Sequence, residues 1–260
     1  MRSPLGFDLR SALAEELRAA AAALDSAVNE PRAVHRCRVH LKRARALSRV
    51  GKQWAPGLAK VFNQTARAAM GALAHRRDAA ALVEAAAFAE QRARRKEVAA
   101  LRQLAAAMTH ADTAPPPLDL HAASIAIRDL QALAQVWPEA SPRQVRTGAK
   151  RVARKARRAR ERAVGGRDVH LRHEWRKREK DRLYAAQILG KAWPGRRSVK
   201  SRERLCDLLG MERDTSRLIE RLQASAVSAG CGDADARALK ALTRQLRKLV
   251  RKADALAKRL

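Results

Sequence analysis

Aromatic side chains are scarce in this sequence: Phe, Trp and Tyr make up 3% of its 260 residues. They do not interleave with the basic runs, which excludes a surface of stacking platforms for single strands. Cysteine is as sparse. Cys37, Cys206 and Cys231 are far apart and free of C-x-x-C spacing, so no disulfide framework is expected, and the thiols read as reduced in a cytosol-like compartment. No stretch approaches the run of about 18 apolar residues that a membrane helix needs, and Met1 to Leu9 has no apolar core of signal-peptide length. A soluble, cytoplasmic protein with no membrane partner is expected. Convincing β alternation is missing, as are a P-loop, a nucleophile elbow and a carboxylate cluster able to hold Mg²⁺. These absences point to an all-α protein that is not an enzyme.

Carboxylates are the decisive shortage. Against 56 Lys and Arg stand 26 Asp and Glu, for a formal net charge of +30. Hydrophobic residues still make up 47%, well above a disordered basic tail, so the charge sits on a folded scaffold. A polyanionic partner is therefore expected: nucleic acid, an anionic surface, or inorganic and organic phosphates.

The charge is patterned. Between Val34 and Val50, His35, Arg38, Lys42, Arg45 and Arg49 share one narrow helical stripe. Val34, Cys37, Leu41 and Ala44 flank it on one side, and Val39, Ala46 and Val50 on the other. A helix packed by both flanks turns its cations toward its neighbours. Either carboxylates from elsewhere neutralise them, or the stripe lines a wet groove that takes an anion. Between Arg143 and Arg162, Arg143, Arg146, Lys150, Arg154 and Arg157 form a second stripe; Arg151, Lys155, Arg158 and Arg162 form another beside it, with Val and Ala filling the remaining arc. Later, His173-x-x-Arg176-x-x-x-Lys180 repeats the spacing of His35-x-x-Arg38-x-x-x-Lys42, the mark of a duplicated unit.

Apolar periodicity predicts further helices around Leu13 to Val28, Leu58 to Ala74, Leu82 to Phe88, Lys96 to Met108 and Ile125 to Val136. Three more follow around Leu205 to Leu209, Leu218 to Leu222, and Leu239 to Leu249. Pro115, Pro116 and Pro117 mark a linker at 114–118, dividing one domain of 260 residues into halves at about 7–113 and 119–260. His170 and His173 are spaced i, i+3, but no third ligand completes a shell, so neither metal nor cofactor is expected. Cys37 lies among cations that would lower its pKa, yet reads as a small core residue.

These residues resemble a known family, the conserved-histidine α-helical domain (CHAD). Ala33 to Leu47 is similar to its first histidine motif, Asn63-x-x-x-Arg67 to its Asn/Arg helix, and Arg77-Asp78 to its Arg-Asp pair. His173 to Asp181 with Tyr184 resembles the second motif, and Leu209-Gly210 to Asp214 the matching Leu-Gly and Asp element. The chain departs from the pattern at Met211-Glu212-Arg213 and at Glu179.

The resemblance implies two antiparallel, four-helix-bundle-like halves related by a pseudo-twofold axis around a central basic channel. It implies non-catalytic binding of inorganic polyphosphate there, with sulfate or phosphate as smaller stand-ins, and association with polyphosphate granules. The binding set on this reading is His35, Arg38, Lys42, Arg45, Arg67, Arg146, Lys150, Arg154, Arg157, His173, Arg176 and Lys180. Asp78, Asp214 and Tyr184 are orienting residues. A basic helical nucleic-acid-binding protein is the alternative.

Overall fold

The computed structural model describes residues 7–28, 30, 32–110, 118–229 and 232–260. Among them lie ten α-helices and no strand. They are α1 (Leu9–Asp25), α2 (Ala33–Gly51), α3 (Pro56–Ala72), α4 (His75–Glu90), α5 (Arg95–His110), α6 (Leu120–Gln135), α7 (Pro142–Ala163), α8 (Val169–Leu189), α9 (Val199–Ala229) and α10 (Asp233–Ala257). The proline run at 115–117 lies outside the described residues. No described helix is long and apolar enough to cross a membrane.

Local chemistry sets the helix starts. Asp8 caps α1 by accepting from the Arg10 and Ser11 amides, and Asp119 caps α6 through the Ala122 amide. At α7, Ser141 and Gln144 form a reciprocal capping box: the Gln144 side chain accepts from the Ser141 amide at 2.8 Å, and Ser141 Oγ accepts from the Gln144 amide at 3.3 Å. Pro56 occupies the first turn of α3, where its missing N–H costs nothing. It opens that helix instead of ending the one before.

The chain divides into two compact units, each drawn from three stretches. The first comprises residues 1–74, 118–161 and 177–199; the second comprises 75–117, 162–176 and 200–260.

In the first unit, α1 packs on α2 and α6, and α3 packs on the same two helices, closing a four-helix ring. Leu13, Leu17, Leu41, Leu47, Phe62 and Leu130 fill its centre. Trp137 is fully buried and meets Phe62 edge-on, with centroids 5.7 Å apart. Its carbonyl accepts two bonds from Arg10. Gly51 lies hard against the Trp137 ring, where a Cβ would come within 2.5 Å. On α7, Val145, Ala149 and Val152 join this core. As the sequence requires, Val34, Cys37, Leu41 and Ala44 are buried on one flank of the α2 stripe, and Ala46 and Val50 on the other, where Val39 is half-buried. Burial pushes the Cys37 thiol up to about 11, slightly opposed by Arg38. It is a protonated core residue, not an activated nucleophile.

In the second unit, α10 packs on α4 and α5, which pack on each other. Leu101, Leu104, Leu218, Leu222 and Leu242 make its core. The separate helices expected around Leu205 and Leu218 are one helix, α9. Gly210 was the only breaker between them, and a lone glycine amid Leu, Met, Glu and Arg costs a helix about 1 kcal/mol, too little to end it.

Candidate functional site

The first unit holds a cleft of about 360 Å³ between α2, α3, α7 and α8. Lys60, Asn63, Gln64 and Arg67 line it from α3; Arg151, Val152 and Lys155 from α7; Arg178 and Asp181 from α8; Arg49 and Lys52 from the end of α2. Seven cations thus face one carboxylate. Spacings of three and four residues bring Lys60, Asn63, Gln64 and Arg67 onto one face of α3.

Behind the cleft a polar network holds Arg45. Its Nε donates to Asn63 Oδ1 at 3.4 Å, and Asn63 Nδ2 donates to Ser48 Oγ at 2.6 Å and to the Ala59 carbonyl at 2.8 Å. Ser48, wholly buried, in turn donates to the Arg45 carbonyl at 2.9 Å. Burial, then the neighbouring charges of Arg49, Arg67 and Arg178, pull the Arg45 pKa down to about 10, with Asp181 opposing. The guanidinium remains cationic at neutral pH.

Both outcomes the α2 stripe left open therefore occur in one place. Asp181 neutralises Arg49, while Arg49 still lines an open, cationic cleft. Arg38 is anchored differently: it donates to the Met70 carbonyl in the last turn of α3, one of the orphan acceptors at a helix C-terminus. His40, a neighbour of the stripe, and Arg43 bind the buried Glu16 of α1 at 2.8 and 2.7 Å.

The second unit carries a buried ion cluster. Arg172, only 4% exposed, donates to both oxygens of Glu212, to Asp254 at 2.9 Å and to the Ala163 carbonyl at 3.2 Å. Its guanidinium also lies 5.3 Å over the Trp175 ring. Arg176 lies against Gly210 of α9, 3.7 Å from where a Cβ would stand, and His173 lines a larger cavity in this unit.

The CHAD domain family model matches residues 11–223. The chain belongs to the CHAD family. No curated protein matches it.

The CHAD residues singled out in the sequence distribute unevenly. Arg67 lines the cleft, and Arg45 stands behind it. Lys42 is half-buried on α2, and His35 is exposed near its start. Lys180 and Tyr184 meet on α8, with Nζ 5.9 Å from the ring centroid. Asp214 is half-buried on α9, and the Asp78 side chain lies outside the described residues. On α7 the stripe of Arg146, Lys150, Arg154 and Arg157 is exposed and does not line the cleft. Arg157 instead faces Glu161 at 3.6 Å, and Arg146 borders a small hollow with Phe7 and Trp193.

The neighbouring stripe supplies Arg151 and Lys155 to the cleft. Val145, Ala149, Val152, Ala156 and Ala159 are the buried arc. The two basic stripes flank that arc on opposite sides, and the one that carries Arg151 and Lys155 is the one turned toward α3 and α8. Lys52, Gln64, Arg178 and Asp181 were not anticipated as lining residues.

Proposed function

We propose that this CHAD protein binds inorganic polyphosphate and does not turn it over. The observation that carries the proposal is the cleft of the first unit, with its seven cations against a single carboxylate. A flexible phosphate chain carries roughly one charge per phosphorus and no bases, so it can thread among guanidinium and ammonium groups, releasing about one counterion per neutralised phosphate. The CHAD match supports the same ligand.

Nucleic acid is disfavoured because no aromatic side chain lines the cleft to stack on a base. Turnover is disfavoured by the residues present. Asp181 is the lone carboxylate of the lining and is already engaged by Arg49, so no pair is available to hold Mg²⁺ for phosphoryl transfer. The pseudo-twofold halves, the shared central channel and cytoplasmic, granule-associated localisation belong to this proposal. The repeated His-x-x-Arg-x-x-x-Lys motif and the family's pattern support them.

The test is a titration of long-chain polyphosphate against single- and double-stranded DNA at matched salt, with Arg67→Ala and Lys155→Ala as variants. Polyphosphate should bind more tightly than either DNA, with affinity falling steeply as salt rises, and each variant should weaken it. DNA binding as tight as polyphosphate binding, or variants indistinguishable from wild type, would overturn the reading.

A further inference from the structure

The second unit encloses a cavity of about 710 Å³ whose chemistry differs from that of the basic cleft. This volume falls within the range of about 300–1,000 Å³ that accepts small organic ligands. The cavity is framed by groups already fixed in place. Arg172 spends four of its donors on Glu212, Asp254 and the Ala163 carbonyl, and Asp254 also accepts the Gly165 amide at 3.1 Å. Gly165 has φ +81°, a left-handed turn suited to glycine, so the turn between α7 and α8 is tied to α10 as one rim.

Beside His173, Ser216 and Thr243, two kinds of side chain remain to meet a ligand. Val169, Leu209, Leu246 and Val250 are aliphatic, and Val169 is 39% exposed. Arg167, Arg247 and Arg251 are exposed cations of the same lining. They have no ion-pair partner among the described residues, in contrast to Arg172 with its two carboxylates and Arg244 with Glu97. On α10 the pairs Leu246/Val250 and Arg247/Arg251 each follow i, i+4 spacing. Two adjacent ridges result, one apolar and one cationic.

A polyphosphate chain would satisfy the arginines but leave the aliphatic wall wet. A nucleobase would find no Phe, Tyr or Trp on which to stack, the imidazole of His173 being the one ring of the lining, and it too would leave the aliphatic wall wet. Both ridges are used by an anion that carries an aliphatic body. Moreover, α10 lies beyond the residues 11–223 matched by the family model, so half of this wall is outside the shared pattern.

We propose that the second unit binds an amphiphilic phosphate, its aliphatic chain on Val169, Leu209, Leu246 and Val250 and its phosphate held by Arg167, Arg247 and Arg251. The proposal is independent of polyphosphate binding in the first unit.

Calorimetric titration of the full chain with decyl phosphate, below its micelle concentration, tests it. Inorganic phosphate, decanol and ATP are the comparison ligands. Decyl phosphate should bind at one site, at least about tenfold more tightly than any of the three, because only it uses both ridges. Arg247→Ala with Arg251→Ala should weaken it by about tenfold or more. Both residues are exposed, so this variant keeps its fold. Val250→Asn should also weaken decyl phosphate while leaving inorganic phosphate unchanged, and Arg67→Ala with Lys155→Ala should have no effect. ATP or phosphate binding as tightly as decyl phosphate, and weakened by the same α10 substitutions, would overturn the proposal. So would several weak sites insensitive to the α10 substitutions, or loss of binding only in the Arg67 and Lys155 variants.

Discussion

Arg49 of α2 is ion-paired with Asp181 of α8, a carboxylate 132 positions further along the chain. Arg178, one helical turn earlier, approaches its other oxygen at 3.4 Å. Asp181 is the one carboxylate lining the basic cleft, and it sets how much of the surrounding positive charge is available to a ligand. Burial pushes its pKa above the ordinary 3.8, against the pull of Arg49, Arg178 and Arg45.

Replacing Asp181 with Asn should therefore tighten polyphosphate binding, because Arg49 is released to the ligand. With about one more phosphate neutralised, the slope of log K against log salt should steepen by roughly one unit. The pH dependence has a definite sign. As pH falls through the raised pKa of Asp181, the wild-type cleft loses a negative charge and its affinity rises toward that of Asp181→Asn. The variant should lack that rise. Equal slopes and equal acid responses for the two proteins in salt-dependent titrations would remove Asp181 from the account.

Lys155 gives a second reading of the same field. Its pKa is lowered first by desolvation and then by Arg151, Arg178, Lys52 and Arg49. A bound polyanion reverses the sign of the local potential and raises that pKa again, so binding on the alkaline side should take up protons. Calorimetry in buffers of different ionisation enthalpy measures that uptake directly. It should be reduced in Lys155→Met, which keeps the length of the stem while removing the charge.

Much of this was readable in the sequence, and the gaps have physical causes. Periodicity located the helices because each buries one continuous apolar face, and the flanks of the α2 stripe are buried where 3.6-residue spacing puts them. What the sequence did not disclose was orientation. On α7 two basic stripes flank the buried arc and look alike on the wheel, but only the one with Arg151 and Lys155 reaches the basic cleft. Arg38 and Arg67 likewise look equivalent as cations of basic helices. Arg38 spends a donor on the Met70 carbonyl, and no local rule foretells that an arginine on α2 will meet the end of α3. Asp181 is the sharpest case. Inside its own helix it interrupts a cationic motif, and its meaning appears only when α2 brings Arg49 to it.

Glu97 and Arg244 supply a stability test in the second unit. The Glu97 carboxylate is 3% exposed and accepts from both terminal nitrogens of Arg244 and from the Arg94 amide. Those bonds hold its pKa down to about 2, against the opposing effect of burial. A lowered folded-state pKa means that the stabilisation is present above the unfolded value of 4.5 and is lost as pH falls through about 2. Glu97→Gln should cost roughly 2 kcal/mol at neutral pH and flatten the fall in stability between those two values. Urea denaturation at a series of pH values checks both, and parallel acid limbs for wild type and variant would count against the pair.

Gly148 couples packing to the cleft. It lies on α7 where that helix passes α2, and a Cβ there would stand 2.3 Å from the Val50 carbonyl oxygen and 3.0 Å from its carbon. Both atoms are helix backbone and cannot turn aside as a side chain could, so Gly148→Ala must push α7 away from α2. Overpacking of this kind costs about 1–3 kcal/mol. Gly71 provides the contrast. It is exposed in the last turn of α3, nothing lies within 4 Å of the position its Cβ would take, and its φ is not positive. Gly71→Ala should stabilise by about 0.4–1 kcal/mol through the unfolded state. The consequences for binding diverge in the same way. Arg151 and Lys155 follow Gly148 on α7 by one and two turns, and Arg49 and Lys52 flank Val50 on α2, so separating the helices spreads the cations that line the cleft. Gly148→Ala should therefore weaken polyphosphate binding even under conditions where it is fully folded, whereas Gly71→Ala should bind like wild type. Thermal melts and salt-dependent titrations of the two variants side by side decide the matter; a Gly148→Ala protein that loses stability but keeps wild-type affinity would show that α7 does not set the spacing of the cleft.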